Sequence, residues 1–313
     1  MKPFRFWAGA TEPVSAREFA ERVRRAAAAG FDALVFPDHI VPQLAPVPAM
    51  AIVAALSGRL RIAPFVINND LRHPAVLGHD LATLDLLSDG RLIVAIGAGW
   101  NRPEYDAMGM SYDPPATRVG RLEESIAVLK GYFGDAPFSF RGAHYTITEL
   151  DGHPKPVQRP HPPFMVGGGG RRVLSLAARE AQIVGLAPRA GRDGRGDNAS
   201  LTWDATVEKV GWVQEAAGER FAELELNVYP SRVAPRITDD GRAAVREAAD
   251  EIGARSGDRP DENDLRDSPH IWIGSLEELT EKALRLRAEL GISTLMLGEV
   301  DELASLVGRL AGT

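Results

Sequence analysis

The sequence contains no cysteine among its 313 residues. This absence excludes disulfide bonds, thiolate metal ligands and a cysteine nucleophile. The seven histidines do not supply a metal motif either, because no HExxH pattern occurs and no histidine pair has ligand spacing. We therefore expect a protein that binds no metal.

Charge of one sign and long apolar runs are also missing. The net charge is −7 with both signs mixed along the chain, which gives no footprint for nucleic acid or an anionic membrane. The apolar stretch 47–56 is far shorter than the ~20 residues that a membrane span needs. Glu12 and Pro13 interrupt the start of the chain too early for a signal peptide. We predict a cytoplasmic protein without a nucleic-acid or membrane partner.

What the sequence does contain is an alternation of short apolar runs and helical patterns, repeated eight times. The runs lack polar alternation, which is typical of parallel strands covered on both faces. The predicted strands are Phe4–Ala8, Ala33–Phe36, Leu60–Val66, Arg91–Ile96, Phe164–Val166, Ile183–Leu186, Glu223–Val228 and Thr294–Leu297. This rhythm predicts the α/β class and a (β/α)8 TIM barrel formed by residues 1–313 as one domain.

Three segments interrupt the eight-fold rhythm. Residues 138–163 have the pattern of a hairpin followed by a proline-rich strap, and residues 188–200 form a glycine- and arginine-rich loop. Residues 229–274 include a helical pattern near Asp240–Ala254. Because insertions after barrel strands surround the active site, we expect these inserted loops at the C-terminal face, around a substrate pocket.

Polar or glycine-rich residues follow four of the predicted strands. Asp38 and His39 follow the second strand, Asn68 follows the third, and residues 97–100 (GAGW) and 167–170 (GGGG) follow the fourth and fifth. The carboxyl ends of barrel strands meet at the face that carries the active site. An imidazole titrates near neutrality, so His39 is a candidate proton donor or acceptor that a neighbouring Asp38 could hold. The alternative is a structurally satisfied histidine in an ordinary polar turn.

The four glycines at 167–170 precede a helical pattern that begins with Arg171 and Arg172. Backbone amides without a Cβ beside them, at a helix N-terminus with added positive charge, favour a phosphate site. Glycine also permits a tight strand-to-helix turn that binds nothing, and this alternative stays open. Trp100, and Trp7 on the first strand, are predicted to line the substrate pocket.

Several segments resemble the luciferase-like monooxygenase superfamily, and within it the F420 (deazaflavin)-dependent oxidoreductases. They are FPDHI, RHPAVLGHDLATLDLLSDGRLIVAIGAGWNRPEYDAMG, GGGGRRVLSLAAREAQIVG and IGSLEELTEKALRLRAELGISTLML. The similarity covers nearly the whole chain in order. It implies a barrel that carries coenzyme F420, or alternatively FMN, across its carboxyl face, with the phosphate at the strand-five glycines. It also implies a homodimer, although no segment has the pattern of an interface.

The resemblance also implies roles for individual residues. Asp38 corresponds to an acidic residue that contacts the cofactor, and His39 to a histidine that exchanges a proton with the substrate. A cis peptide is expected between Phe65 and Val66. The positions that match cofactor contacts are Phe65, Val66, Asn68, Ala98, Gly99, Gly169, Gly170, Arg172 and Val173.

The activity implied by the resemblance is hydride transfer between F420 and a small organic substrate, with His39 and Asp38 as the catalytic residues. Two alternatives stay open: an FMN-dependent monooxygenase that takes reduced flavin from a partner reductase and reacts with O2, and a non-catalytic cofactor-binding barrel. Trp100 stands where related sugar-phosphate dehydrogenases have an acidic proton donor, so a sugar phosphate is not the expected substrate. The next carboxylate, Glu104, need not replace that donor.

Overall fold

A computed structural model describes residues 1–189 and 197–313. The strands within these residues are β1 (Arg5–Gly9), β2 (Ala33–Phe36), β3 (Arg61–Pro64), β4 (Ile67–Asn68), β5 (Val94–Gly97), β6 (Phe138–Arg141), β7 (Thr146–Leu150), β8 (Phe164–Gly168), β9 (Ile183–Leu186), β10 (Glu225–Val228), β11 (Arg236–Ile237), β12 (Ile273–Gly274) and β13 (Ile292–Glu299). The helices are α1 (Ala16–Ala29), α2 (Pro46–Leu56), α3 (Pro74–Leu87), α4 (Arg102–Ala107), α5 (Pro115–Phe133), α6 (Arg171–Glu180), α7 (Trp203–Ala217), α8 (Gly241–Ser256), α9 (Glu262–Asp267), α10 (Leu276–Leu290) and α11 (Ala304–Leu310). None of these helices is both long and apolar enough to cross a membrane.

Nine of the described strands form one parallel sheet in the order β3-β2-β1-β13-β10-β9-β8-β5-β4. The two edge strands of this sheet, β3 and β4, are consecutive parts of the predicted third strand. Since β3 pairs with β2 and β4 pairs with β5, the chain itself connects the two edges of the sheet. A parallel bridge between Ile62 and Leu92 joins the two edges. The eight predicted strands are thus all present, and the predicted (β/α)8 barrel is confirmed.

The third strand divides at the peptide between Phe65 and Val66, which is cis as expected. Phe65 still donates its backbone N–H to Phe36 O at 2.7 Å, so this point remains level with the end of β2. The break therefore places the residues after β2 and those after β4 beside each other at one rim of the barrel.

Packing inside the barrel depends on side-chain size. Trp7 is fully buried there, and three alanines on neighbouring strands, Ala33, Ala63 and Ala95, belong to the same interior cluster. Small side chains leave the volume that the indole occupies, since protein interiors have few voids. A larger apolar cluster lies between the sheet and the surrounding helices.

Local signals delimit the helices that cover the sheet. Ser15 and Glu18 form a capping box at the start of α1, and Gly30 ends it at φ 94°. The same box forms at Ser275 and Glu278 before α10. Each box satisfies backbone donors that the first helical turn leaves free, so these helix starts are encoded locally.

The insertion at 138–163 contains the predicted hairpin, formed by β6 and β7. The hairpin follows helix α5, and the strap after it contacts the amino end of the barrel. In the strap, Gln158 donates to Leu92 O at 2.8 Å, at the amino end of the fourth barrel strand. The hairpin does reach the carboxyl side, where Asn69 Nδ2 donates to Tyr145 Oη at 3.4 Å.

The other two insertions follow barrel strands. The predicted loop 188–200 lies outside the described residues between 190 and 196. The 229–274 insertion holds α8, in the predicted place, together with α9 and the short strands β11 and β12. Because this segment leaves the carboxyl end of β10, it begins beside the residues that follow the other strands.

Candidate active site

His39 follows β2 and is held by a carboxylate from another strand end. Its Nδ1 lies 2.9 Å from Oε2 of Glu104, on α4 after the fourth barrel strand. Glu104 Oε1 also accepts the backbone N–H of Ile40 at 3.1 Å. The His39 side chain is 27% exposed, and its ring meets Trp100 edge-on at 5.6 Å. The structure therefore places at the barrel mouth a partly accessible imidazole that Glu104 holds at Nδ1.

Asp38 is not the partner of His39, which corrects the expectation that it could hold the imidazole. Consecutive residues of an extended segment point to opposite sides. The Asp38 carboxylate is bound by two nitrogens of Arg72, at 2.6 and 3.0 Å, and by the backbone N–H of Asn68 at 3.0 Å. Asp38 is buried, and Arg72 neutralises its charge. The contact with the Asn68 N–H ties the end of β2 to β4.

Asn68, at the end of β4, has a fixed side chain. Its Oδ1 accepts the N–H of Asp70 at 3.1 Å and the hydroxyl of Tyr105 at 3.0 Å. The same hydroxyl lies 3.0 Å from Asp70 Oδ2. Burial and the Asp70 charge raise the pKa of Tyr105, so its phenol remains a donor. With its oxygen engaged, Asn68 has its Nδ2 donor left for a bound molecule.

The segment after β5 allows a close approach to the backbone. A Cβ on Gly97 would lie 2.7 Å from Val66 Cγ2, and Gly99 has φ +73° and would bring a Cβ against Tyr105 Oη. Arg118, on α5 and buried, donates to the carbonyls of Ala98 and Gly99 from beneath. Ala98 and Gly99 therefore form a fixed surface without side-chain bulk.

The glycine segment after β8 leads into the N-terminus of α6. Gly170 is the N-cap residue and no side chain caps the helix, so the first amides lack a helical partner. Within residues 1–189 and 197–313, no atom is recorded within 4 Å of the Cβ position of Gly170, whereas at Gly169 a Cβ would meet Ala187 O at 2.7 Å. Arg171 pairs with Glu215, and Arg172 donates to Ala116 O at 2.9 Å. Among the described residues, no side chain therefore caps the first amides of α6, and the position beside Gly170 is uncrowded.

Aromatic rings at the ends of β3 and β10 also meet at the barrel mouth. Phe65 meets Tyr229, the residue after β10, edge-on at 5.4 Å. Trp7 meets Phe65 at 6.2 Å, but it is fully buried, and its indole N–H points to Asp32 before β2 at 3.3 Å. In this structure Trp7 offers no accessible surface to a substrate and contacts the site through Phe65, whereas Trp100 is 49% exposed.

A buried basic cluster lies behind Tyr229. His270 Nδ1 donates to Tyr229 O at 3.0 Å, and Lys209 donates to Ser200 O at 2.8 Å. Burial, with Lys209 and Arg232 nearby, lowers the pKa of His270 to about 3. Burial likewise lowers the pKa of Lys209 to about 8. His270 is therefore neutral near pH 7 and orients the backbone at Tyr229.

The structure brings most predicted site residues to one end of the barrel and adds several that sequence reasoning missed. Tyr229 directly follows a predicted strand, so the rule that found His39 could have found it. Glu104, Arg72 and Arg118 act through contacts between distant segments, and no local pattern in the sequence indicates them. Among the described residues, no group of three or more histidine, aspartate or glutamate side chains could hold a metal ion.

Known proteins resemble this chain both in sequence and in fold. A family model described as luciferase-like monooxygenase matches residues 1–200. The FMNH(2)-dependent dimethylsulfone monooxygenase of Pseudomonas putida is 38% identical over 106 residues, which cover 34% of this chain and 29% of the relative. The F420-dependent glucose-6-phosphate dehydrogenase of Amycolatopsis mediterranei is 30% identical over 169 residues, or 50% of each chain. The chain thus matches half or less of the length of these curated relatives.

Solved structures match the whole barrel. Coenzyme F420-dependent tetrahydromethanopterin reductase from Methanopyrus kandleri has a TM-score of 0.78 at 18% identity and covers 99% of this chain and 98% of its own. The FMN-bound oxygenating constituent of 3,6-diketocamphane monooxygenase from Pseudomonas putida has a TM-score of 0.72 at 17% identity, with 99% and 98% covered. These identities show the fold alone, but the family model spans well over half of the sequence. The chain belongs to the luciferase-like monooxygenase family.

Proposed function

We propose that this protein is an F420-dependent oxidoreductase, which transfers a hydride between the deazaflavin and a small organic substrate. The observation that carries the proposal is the His39–Glu104 pair at the barrel mouth, where the imidazole is fixed at Nδ1 and partly accessible. Reduction of a carbonyl by hydride also consumes a proton, and a histidine at this place can deliver it. Relatives that use F420 support the proposal.

The residues at the strand ends fit a flat, phosphate-bearing cofactor. The glycine surface at Ala98 and Gly99 and the free donor of Asn68 suit a planar ring with carbonyl oxygens. The open space at Gly170, in front of uncapped amides, suits a phosphate at a helix N-terminus. Asp38 would act on the ring through Asn68, whose backbone it holds.

The strand-end residues would hold a deazaflavin, which would supply hydride chemistry there, and the protein would handle the proton. In the reducing direction the carbonyl carbon would gain the hydride, and its oxygen would take the proton from Nε2 of the imidazolium form of His39, which is left neutral with its hydrogen on Nδ1. In the oxidising direction Nε2 takes the hydroxyl proton as the carbon loses hydride. Glu104 stays on Nδ1 throughout, and Trp100 covers one edge of the imidazole and limits its contact with water.

The substrate surroundings are apolar next to His39. Ile40, Val41 and Trp100 are 66%, 47% and 49% exposed, and the rings of Phe65 and Tyr229, at the ends of β3 and β10, meet edge-on. Exposed apolar side chains clustered at a mouth of this kind are typical of a binding surface. They favour a substrate with an apolar body over a sugar phosphate.

Cofactor titration tests the proposal, with fluorescence measured separately for F420 and FMN. We expect saturable micromolar F420 binding and weak FMN binding. Gly170→Ala should raise the F420 dissociation constant about 10-fold or more, because its methyl group enters the space of the phosphate without straining a residue at φ −103°. Gly211→Ala on α7, where a Cβ also meets nothing within 4 Å, is the matched control and should bind normally. Unchanged binding by Gly170→Ala would contradict a phosphate site at the N-terminus of α6.

The second candidate is an FMN-dependent monooxygenase supplied with reduced flavin by a partner reductase. This candidate is favoured by the 38% identity to the FMNH(2)-dependent dimethylsulfone monooxygenase, which extends over 106 residues. Preference for FMN in the same titration would select this candidate. Failure of both cofactors to bind would select the non-catalytic barrel.

We further propose a homodimer through α2 and α3. Ile52 and Leu56 on α2 and Val76 and Leu87 on α3 are between 42% and 70% exposed, although both helices also bury apolar residues. Helix α2 is apolar on all sides, which is typical of a covered helix, and a second copy of the same surface is complementary to it. Ile52→Glu with Leu87→Glu should convert the dimer to monomer in sedimentation velocity, whereas Val207→Glu with Leu284→Glu, at apolar sites of other helices that are 43% and 41% exposed, should not.

A further inference from the structure

His39 can exchange a proton through either ring nitrogen, and its surroundings decide which one is available. In a neutral imidazole one nitrogen carries hydrogen and the other carries a lone pair. Nδ1 lies 2.9 Å from Oε2 of Glu104. An ionised carboxylate only accepts hydrogen bonds, so the hydrogen of this contact belongs to Nδ1. Nε2 is then the nitrogen left for a bound molecule.

Glu104 is itself held in place by the segment that it holds. One carboxylate oxygen accepts from His39 and the other accepts the N–H of Ile40 at 3.1 Å. Glu104 is only 8% exposed, and within the described part of the chain its ion-pair partner is His39 alone. A buried carboxylate is unfavourable unless its oxygens are paired. The contacts with His39 and Ile40 supply this pairing, and they fix Glu104 against these two adjacent residues.

Asp38 cannot take over this task. Its oxygens are bound by Arg72 and by the N–H of Asn68, at distances between 2.6 and 3.0 Å. Moving Asp38 towards His39 would leave Arg72 and a buried amide without an acceptor, which is unfavourable. The two carboxylates at the rim therefore have separate partners.

We propose that Glu104 is the positioning residue of the site: it fixes His39 in the tautomer with hydrogen on Nδ1 and so makes Nε2 the atom that exchanges the substrate proton. The role in turnover rests on the proposed hydride transfer, whereas the tautomer is a property of the free protein. Both oxygens of Glu104 are engaged by His39 and Ile40, so Glu104 acts through His39.

Nitrogen-15 NMR of the histidine-labelled protein without cofactor measures the tautomer directly. The His39 signals are identified among the seven histidines as those lost in His39→Gln. In the wild-type protein we expect neutral His39 to carry hydrogen on Nδ1, the less common form of a free imidazole. Hydrogen on Nε2 in the wild type would overturn the proposal without any further variant.

Glu104→Gln separates this role from a structural one. A carboxylate offers two acceptors, whereas the amide offers one acceptor and one donor, so it cannot serve Ile40 and His39 in the same way. We expect a shift of His39 towards the Nε2–H tautomer, and a kcat about 10²- to 10³-fold lower with KM for the substrate changed little. Circular dichroism checks that the variant is folded.

Asp151→Asn is the matched control, because Asp151 pairs with His153 at 3.1 Å but both side chains are largely exposed. It should leave both the His39 tautomer and kcat unchanged. A folded Glu104→Gln protein with wild-type tautomer and turnover would overturn the positioning role. If F420 does not bind but the NMR result holds, the proposed function fails while the fixed tautomer stands.

Discussion

Replacing His39 by alanine is expected to lower the turnover number about 10²- to 10⁴-fold while the dissociation constant of F420 stays within a factor of about 2. The imidazole is the group placed to exchange the substrate proton, whereas the residues that fit the cofactor lie on other strand ends. His39 contacts Glu104 and Trp100, and neither of these residues is proposed to bind the cofactor. Steady-state kinetics and a fluorescence titration of the same preparation measure the two quantities.

His153→Ala provides the comparison for this experiment. His153 also contacts a carboxylate, but its side chain is 67% exposed and lies in the strap at the far end of the barrel. It should leave both turnover and cofactor binding unchanged. Near-normal turnover of His39→Ala would exclude His39 as the proton-exchanging group, and a parallel loss of F420 affinity would mean that it binds the cofactor instead.

The barrel could be predicted from the sequence because its determinants are local. Each strand is a short apolar run, and helix starts such as Ser15 with Glu18 depend on residues three positions apart. The division of the third strand at Phe65 and the place of the strap could not be predicted from patterning. The strap is fixed by Gln158, which contacts Asp85 and Leu92, and neither is near it in sequence.

The sequence could predict which residues lie at the candidate site, but not which of them contact each other. The rule that function collects at strand ends found His39, Asn68 and the glycine segment. It could not say which acid holds His39, because Asp38 is adjacent in sequence while Glu104 is 65 positions away. The backbone excludes Asp38 as this acid, because the side chains of adjacent residues in an extended segment point to opposite sides.

The Asp38–Arg72 ion pair has the largest expected effect on stability. The Asp38 side chain is 2% exposed and that of Arg72 is 26% exposed. Removing one member of a buried pair leaves the other charge without compensation, which is far more costly than losing an exposed pair. This pair also joins the loop after β2 to that after β4, so its loss would loosen the rim that carries His39.

Arg72→Ala is expected to lower the free energy of unfolding by about 2–4 kcal/mol, a range that allows for the partial exposure of the guanidinium. Arg25→Ala, which breaks the exposed pair with Asp301, should cost less than about 1 kcal/mol. Urea unfolding followed by circular dichroism measures both. The second change Asp38→Asn should recover part of the loss, because it removes the charge that Arg72→Ala leaves buried. Equal effects of Arg72→Ala and Arg25→Ala would mean that solvent reaches Asp38 and screens its charge, and the rim would then owe its rigidity to the Asn68 amide rather than to the ion pair.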